Sequence, residues 1–138
     1  MPATREDALP PTVSKKTIKS KQGQQARTRG YSAEDAAAQW LAAQGLTLHA
    51  RNIRYTFGEI DIVAWQGDTL VLCEVRLRKN SRFGGAAASV DSRKQARLIA
   101  AAQAYTRDLK PMPPVRIDVL AYEGGIERAP NWIQNALG

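Results

Sequence analysis

Cysteine and histidine are almost missing from this chain of 138 residues, in which Cys73 and His49 each stand alone. One cysteine cannot close an internal disulfide, so a fold held by disulfides is excluded. One histidine without cysteine partners cannot build a zinc site, and His49 reads as a strand-surface residue. No apolar run approaches the roughly 18 residues that a membrane span needs. The basic residues near the N-terminus are not followed by an apolar stretch, so no secretory signal is expected and the cytoplasm is the default location. No segment repeats, which sets repeat architectures aside.

What is present fits an ordinary soluble chain, with 43% hydrophobic and 24% charged residues, and is long enough to bury a core. The net charge of +7 is unevenly placed. Up to Arg29, seven basic residues face only Glu6 and Asp7, a net of +5 that leaves +2 for the rest. That stretch carries Pro2, Pro10 and Pro11, many polar residues and almost no large apolar ones, the composition of a disordered arm. The arm reads either as a solvated tail or as a grip on a phosphate backbone. The expected organisation is therefore a basic arm over residues 1–29 and one folded domain over 30–138.

From Ser32 the pattern becomes structured. Ala33, Ala36, Ala37, Trp40 and Leu41 recur at helical spacing, Ser32 can cap and Gly45 can stop the helix. Leu46, Leu48 and Ala50 alternate with Thr47, His49 and Arg51, and Arg54 to Trp65 forms a second extended run. Thr69 to Arg78 is a third strand, joined to the second through Gly67-Asp68 as a tight hairpin. Lys79 to Ala88 is a polar loop with adjacent Gly84 and Gly85, long enough to act as a flap. Asp91 caps a long helix whose apolar stripe is Leu98, Ala101, Ala102, Tyr105 and Leu109, with Arg93, Lys94, Arg97 and Arg107 off it. Pro111, Pro113 and Pro114 end it, and Val115 to Tyr122 is a fourth strand. Ile126 to Leu137 carries a weaker signal, with a short strand as one reading. The order is αβββαβ, in the α/β class.

A two-residue hairpin loop pairs Gln66 with Thr69 and, stepping back along both strands, Asp61 with Glu74. One face then carries Glu59, Asp61, Val63 and Trp65 against Arg76, Glu74, Leu72 and Leu70. The other carries Ile60, Ile62 and Ala64 against Val75, Cys73 and Val71. Both faces are largely apolar, which suits a sheet covered by helices on each side. Two ionised carboxylates about 5 Å apart repel by roughly 3 kcal/mol at an effective dielectric near 20. A divalent cation, the flanking Arg76 or protonation of one acid could compensate. Mg²⁺ accepts few carboxylates and keeps waters, which leaves positions for a phosphate oxygen and an attacking water. An ordinary ion-pair cluster, with Glu59 paired to Arg76 and Arg78 screening the rest, satisfies the same spacing.

Gly58-Glu59-Ile60-Asp61 followed by Glu74-Val75-Arg76 resembles the G-E-I-D and E-V-K/R pair of the YraN-like bacterial proteins, members of the PD-(D/E)XK nuclease-fold superfamily. The similarity extends to Gly30, Glu34-Asp35-x-Ala37, Arg51-Asn52, Phe83-Gly84, Arg93-Lys94-Gln95 and Arg116-Ile117-Asp118-Val119, in order along the folded part. The resemblance implies a restriction-endonuclease-like or Holliday-junction-resolvase-like core with a mixed central sheet. It implies Asp61 and Glu74 as metal-binding acids, with Glu34 approaching from the first helix and Mg²⁺ or Mn²⁺ as the cofactor. Arg76 stands where the wider superfamily has a catalytic Lys; it stays protonated, so it can stabilise charge on a phosphate but cannot accept a proton from water.

The resulting expectation is a nucleic-acid-binding protein that acts as a metal-dependent endonuclease or resolvase-like phosphodiesterase, with Asp61, Glu74 and Arg76 as the catalytic set. Arg78, Lys79, Lys94 and Arg97 are the candidate phosphate contacts. The alternatives are a non-catalytic nucleic-acid-binding module on the same fold and a protein-interaction domain with a solvated charge cluster. The expected partner is nucleic acid, DNA ahead of RNA, with no membrane and with a homodimer left open. Trp40 and Trp65 read as core aromatics, Trp132 as core or as a base-stacking or partner contact, and Cys73 as a buried thiol.

Overall fold

The computed structural model describes residues 31–79 and 91–137. The expected basic arm over 1–29 and most of the glycine-bearing loop, Phe83-Gly84 included, lie outside the described residues. The elements are helix α1 (Ala33–Ala43), strands β1 (Thr47–Tyr55), β2 (Gly58–Gln66) and β3 (Thr69–Arg78), helix α2 (Ser92–Thr106), and strands β4 (Val115–Glu123) and β5 (Asn131–Ile133). They form one five-stranded mixed sheet in the order β1-β2-β3-β4-β5. Only β3 and β4 run parallel, connected by the crossover through α2. The weak C-terminal segment supplies the short β5, which pairs antiparallel with β4 and was only one of the readings open to it.

The helices form where their ends are satisfied. Ser32 Oγ accepts from the Asp35 amide at 3.1 Å and Asp35 Oδ2 accepts from the Ser32 amide at 2.9 Å, closing a capping box on α1. Gly45 follows the C-cap with φ +96°, a conformation that favours glycine. Asp91 caps α2 through the Lys94 amide at 3.0 Å. The stripe Leu98, Ala101, Ala102, Tyr105 and Leu109 is buried as its spacing predicts, against Ile53, Ile60, Val63, Trp65, Leu70 and Leu72. On the opposite face α1 covers Ile62, Ala64, Val71, Cys73, Val75, Leu120 and Tyr122. Each large apolar side chain sealed in these two layers contributes about 1.5–3 kcal/mol.

The β2–β3 hairpin has the expected register, from Gln66↔Thr69 through Ile62↔Cys73. The β1–β2 hairpin differs from expectation. Its turn is Thr56-Phe57, since Arg54 and Tyr55 still belong to β1, and the break near Asn52 is not a turn. Asn52 stays within the paired strand with φ +56°, at the position across from Asp61. A left-handed residue in a strand reverses the alternation of side chains. On β2 the alternation breaks at the facing position, Asp61, so that Ile60 joins the α2 face with Ile53 and not the Ile62 face that strict alternation assigns to it.

Candidate functional site

The break in alternation at Asn52 and Asp61 coincides with the end of the β2–β3 ladder and shapes the site. Paired β1 and β2 turn away together, and beyond Ile62↔Cys73 the β2–β3 ladder ends. The Val75 amide, without a strand partner there, donates instead to Asp61 Oδ2 at 2.8 Å. The other side of β3 stays fixed, because β4 pairs with it continuously from Leu70↔Val115 to Arg78↔Glu123. Asp61 and Glu74 therefore meet at the open end of a fork, one on each arm.

The two carboxyl groups interact directly, and both are held above the ordinary carboxylate range. Burial, then the charge of Glu74, pushes Asp61 well above the ordinary carboxylate range. Burial also raises Glu74, which is only 9% exposed, while Arg76 opposes the rise. Arg76 Nη1 lies 3.2 Å from Glu74 Oε2. Glu34, on the first turn of α1, is raised to about 7 by burial and then by repulsion from Asp61. Arg51 Nη2 sits 3.7 Å from Glu34 and is anchored at 2.9 Å on Asp35 Oδ1, the oxygen that the capping box leaves over. The same residue that starts α1 thus holds a cation beside Glu34.

A cleft of about 210 Å³ opens over Glu74 and is lined by Glu59, Glu74, Arg76, Arg93, Lys94, Arg97 and Leu98. Four cations against two acids make it an anion-attracting wall beside the carboxyl pair. Gly58 makes the wall possible: a Cβ there would overlap the Arg97 carbonyl oxygen and crowd Ala101. Without that side chain β2 lies directly on the backbone of α2 and brings Glu59 to the cleft.

Of the expected site residues, Asp61, Glu74 and Arg76 come together, and Lys94 and Arg97 line the adjoining cleft. Arg78 and Lys79 are exposed at the end of β3 and do not line it. Glu34 feels the charge of Asp61, but among the described residues no three His, Cys, Asp or Glu side chains converge into a group that could hold a metal. Glu59 pairs with Arg54 at 2.8 Å across the β1–β2 ladder, where alternation paired it with Arg76. Arg93 and Arg51 were missed as site residues. Arg93 was legible from its i, i+4 relation to Arg97, which puts both on one side of α2; Arg51 required the α1 contact.

Residues 33–122 match the model of the uncharacterised protein family UPF0102, which spans α1 to β4 and contains every acid of the fork. Relatives share the chain over most of its length. A UPF0102 protein of Janthinobacterium sp. (strain Marseille) is 44% identical over 108 residues, covering 78% of this chain and 85% of the relative. One from Nitrosomonas europaea is 44% identical over 111 residues, 80% of this chain and 94% of its own. One from Herminiimonas arsenicoxydans is 46% identical over 108 residues, 78% and 85%. The chain belongs to UPF0102. Within the UPF0102 match, the remaining conspicuous residues are structural. Cys73 is fully buried, and burial followed by the charge of Asp118 pushes its thiol up, away from reactivity. Trp65 is a core residue. Trp40 packs on the α1 layer and meets Trp132, from outside the match, edge to face at 5.4 Å.

Trp132 has a tethering role. Its Nε1–H donates to Asp118 Oδ2 at 2.8 Å, and the Arg116 guanidinium lies 5.9 Å from its ring. Asp118 also receives the Asn135 amide at 2.9 Å, which ties the C-terminal segment to β4. No helix among the described residues is long and apolar enough to cross a membrane.

Proposed function

We propose that the protein binds nucleic acid and cleaves a phosphodiester bond with Mg²⁺ or Mn²⁺ held at Asp61 and Glu74. The observation that carries this is the pair of neighbouring carboxyl groups of Asp61 and Glu74 at the open end of the β2–β3 fork, beside a cleft walled by Arg76, Arg93, Lys94 and Arg97. Two acids this close repel each other when both are ionised, a repulsion that a divalent ion would relieve. Two protein carboxylates with the other positions left to water and phosphate is the donor set Mg²⁺ favours. When bound, the ion supplies Lewis-acid polarisation of a phosphate oxygen and lowers the pKa of a water.

The residues of the chain do the rest. Arg93, Lys94 and Arg97 hold the backbone of the strand by charge. Arg76, permanently protonated, stabilises negative charge that develops at phosphorus. Glu34, with its proton-binding range lifted to about 7, is placed to accept or return a proton near Asp61 at neutral pH. The contact of Arg76 with Glu74 at 3.2 Å favours a second reading, a binding module in which the guanidinium only neutralises the acid.

Calorimetry with Mn²⁺ and single-turnover cleavage of single-stranded, duplex and branched substrates test both readings. Arg76→Lys is expected to keep most activity, and Arg76→Ala to lose roughly 2.7–4 kcal/mol of transition-state stabilisation. Asp61→Asn and Glu74→Gln should weaken Mn²⁺ binding with the fold intact. Equal Mn²⁺ affinity in all variants rejects the metal site. Nucleic-acid binding with no cleavage in any variant supports the second reading.

A further inference from the structure

The β1–β2 turn has a composition that turn chemistry does not explain. A two-residue hairpin loop favours Asn, Asp or Gly, and here it is Thr56-Phe57, flanked by the pair Tyr55↔Gly58. Phe57 is 46% exposed, yet it is not loose. Its ring stacks on Tyr55 with centroids 5.1 Å apart and planes within 10° of parallel. Tyr55 in turn is partly buried and packs against the α2 core layer, so the outer ring rests on an inner ring that is anchored in the core. The next residue, Gly58, lies against the Arg97 carbonyl and Ala101, and Glu59 then lines the cleft together with Arg97. Phe57 thus adjoins the cleft without lining it, one residue from the Gly58–Arg97 contact and two from Glu59.

We infer that Phe57, backed by Tyr55, is a stacking platform for an unpaired nucleobase of a strand whose phosphates lie along Arg93, Lys94 and Arg97. The inference rests on the nucleic-acid reading proposed above and narrows its substrate class to strands with unpaired bases beside the cleft. A flat aromatic face offers every base a π-surface, and its pre-stacked geometry removes the cost of ordering the ring on binding. The surplus of cations in the cleft complements a phosphate backbone and not a protein surface of mixed charge. Inside a fully paired duplex the bases are stacked on one another, and only the terminal pairs present a free face.

The test uses the full-length chain and oligonucleotides bearing 2-aminopurine, either in a single-stranded overhang or within a blunt duplex. Wild type should quench the overhang probe and bind that oligonucleotide more tightly than the duplex. Phe57→Ala should lose the quench and bind the overhang oligonucleotide roughly 5- to 150-fold more weakly, with duplex affinity unchanged. Phe57→Trp should preserve both. Phe57→Leu keeps apolar bulk at the tip without a π-face; it should behave like Phe57→Ala, with a melting temperature equal to wild type. Overhang binding unaffected by Phe57→Ala and Phe57→Leu, or an equal loss on overhang and duplex, overturns the platform and leaves the proposed function standing. Absence of binding to any oligonucleotide overturns both. A selective loss without cleavage by any variant removes catalysis and keeps the platform.

Discussion

Two aspartates, Asp61 on β2 and Asp118 on β4, flank β3 in one sheet, and they are treated in opposite ways. Asp118 has no exposed surface and is surrounded by donors: Arg116 through Nε at 2.9 Å and Nη2 at 3.0 Å, the Trp132 indole at 2.8 Å and the Asn135 amide at 2.9 Å. Asp61 receives the Val75 amide and then faces another acid. They differ in exposure, Asp118 fully buried and Asp61 partly exposed, and more sharply in how their oxygens are satisfied. A carboxylate saturated by donors is finished as a structural element, whereas one left with a like-charged neighbour has binding capacity that a cation can use.

The largest effect expected to test this contrast is on stability. Asp118→Ala removes the acceptor shared by three residues and should cost about 3–5 kcal/mol in urea denaturation, as for a broken buried pair. A loss no greater than that of a surface substitution would break the comparison. Trp132→Phe keeps the ring against Trp40 and removes one donor, so about 1.5 kcal/mol is expected from the same measurement. Asp61→Asn should have the opposite sign: in chelator at pH 8 its melting temperature should exceed that of wild type, because the variant no longer places two ionised acids together.

The pH profile sharpens the comparison further. Asp61, Glu74 and Glu34 all bind their protons more tightly folded than unfolded, Glu34 up to about 7 from 4.5. Over that window the folded chain carries more protons, so metal-free wild type should gain stability as pH is lowered from 7 toward 4.5. The contribution of Glu34 is constant above and below the window. Asp61→Asn should show a shallower rise over the same range, measured by thermal melts in chelator.

Much of the frame was legible before the fold was known, for definite reasons. Gly67-Asp68 between two alternating runs specifies the hairpin register, and Asp91 ahead of the Leu98 stripe specifies where α2 starts and which side it buries. What was not legible is where alternation breaks. Asn52 has φ +56° on β1, Ile60 and Ile62 lie on opposite faces on either side of Asp61, and Glu59 pairs with Arg54. Periodicity assumes that alternation continues, so it cannot register such a reversal. Thr56-Phe57 escaped for a related reason, since neither residue is a turn former. The saturation of Asp118 depends on residues 14 to 17 positions away that only the β4–β5 turn brings back.

The amide of Val75 has a use that follows from how it is held. Its proton is bound by the side chain of Asp61 and not by a strand carbonyl, so it belongs to the sheet by position and to the carboxyl pair by chemistry. It works as a spectroscopic gauge already built into the protein. In a ¹⁵N-labelled sample, a cation that engages Asp61 draws density from Oδ2 and shifts the Val75 resonance, while the neighbouring ladder amides of Leu72 and Cys73 report only on the fold. One backbone signal would thus report a cation bound at the proposed site separately from folding, without a substrate and without any change to the acids themselves.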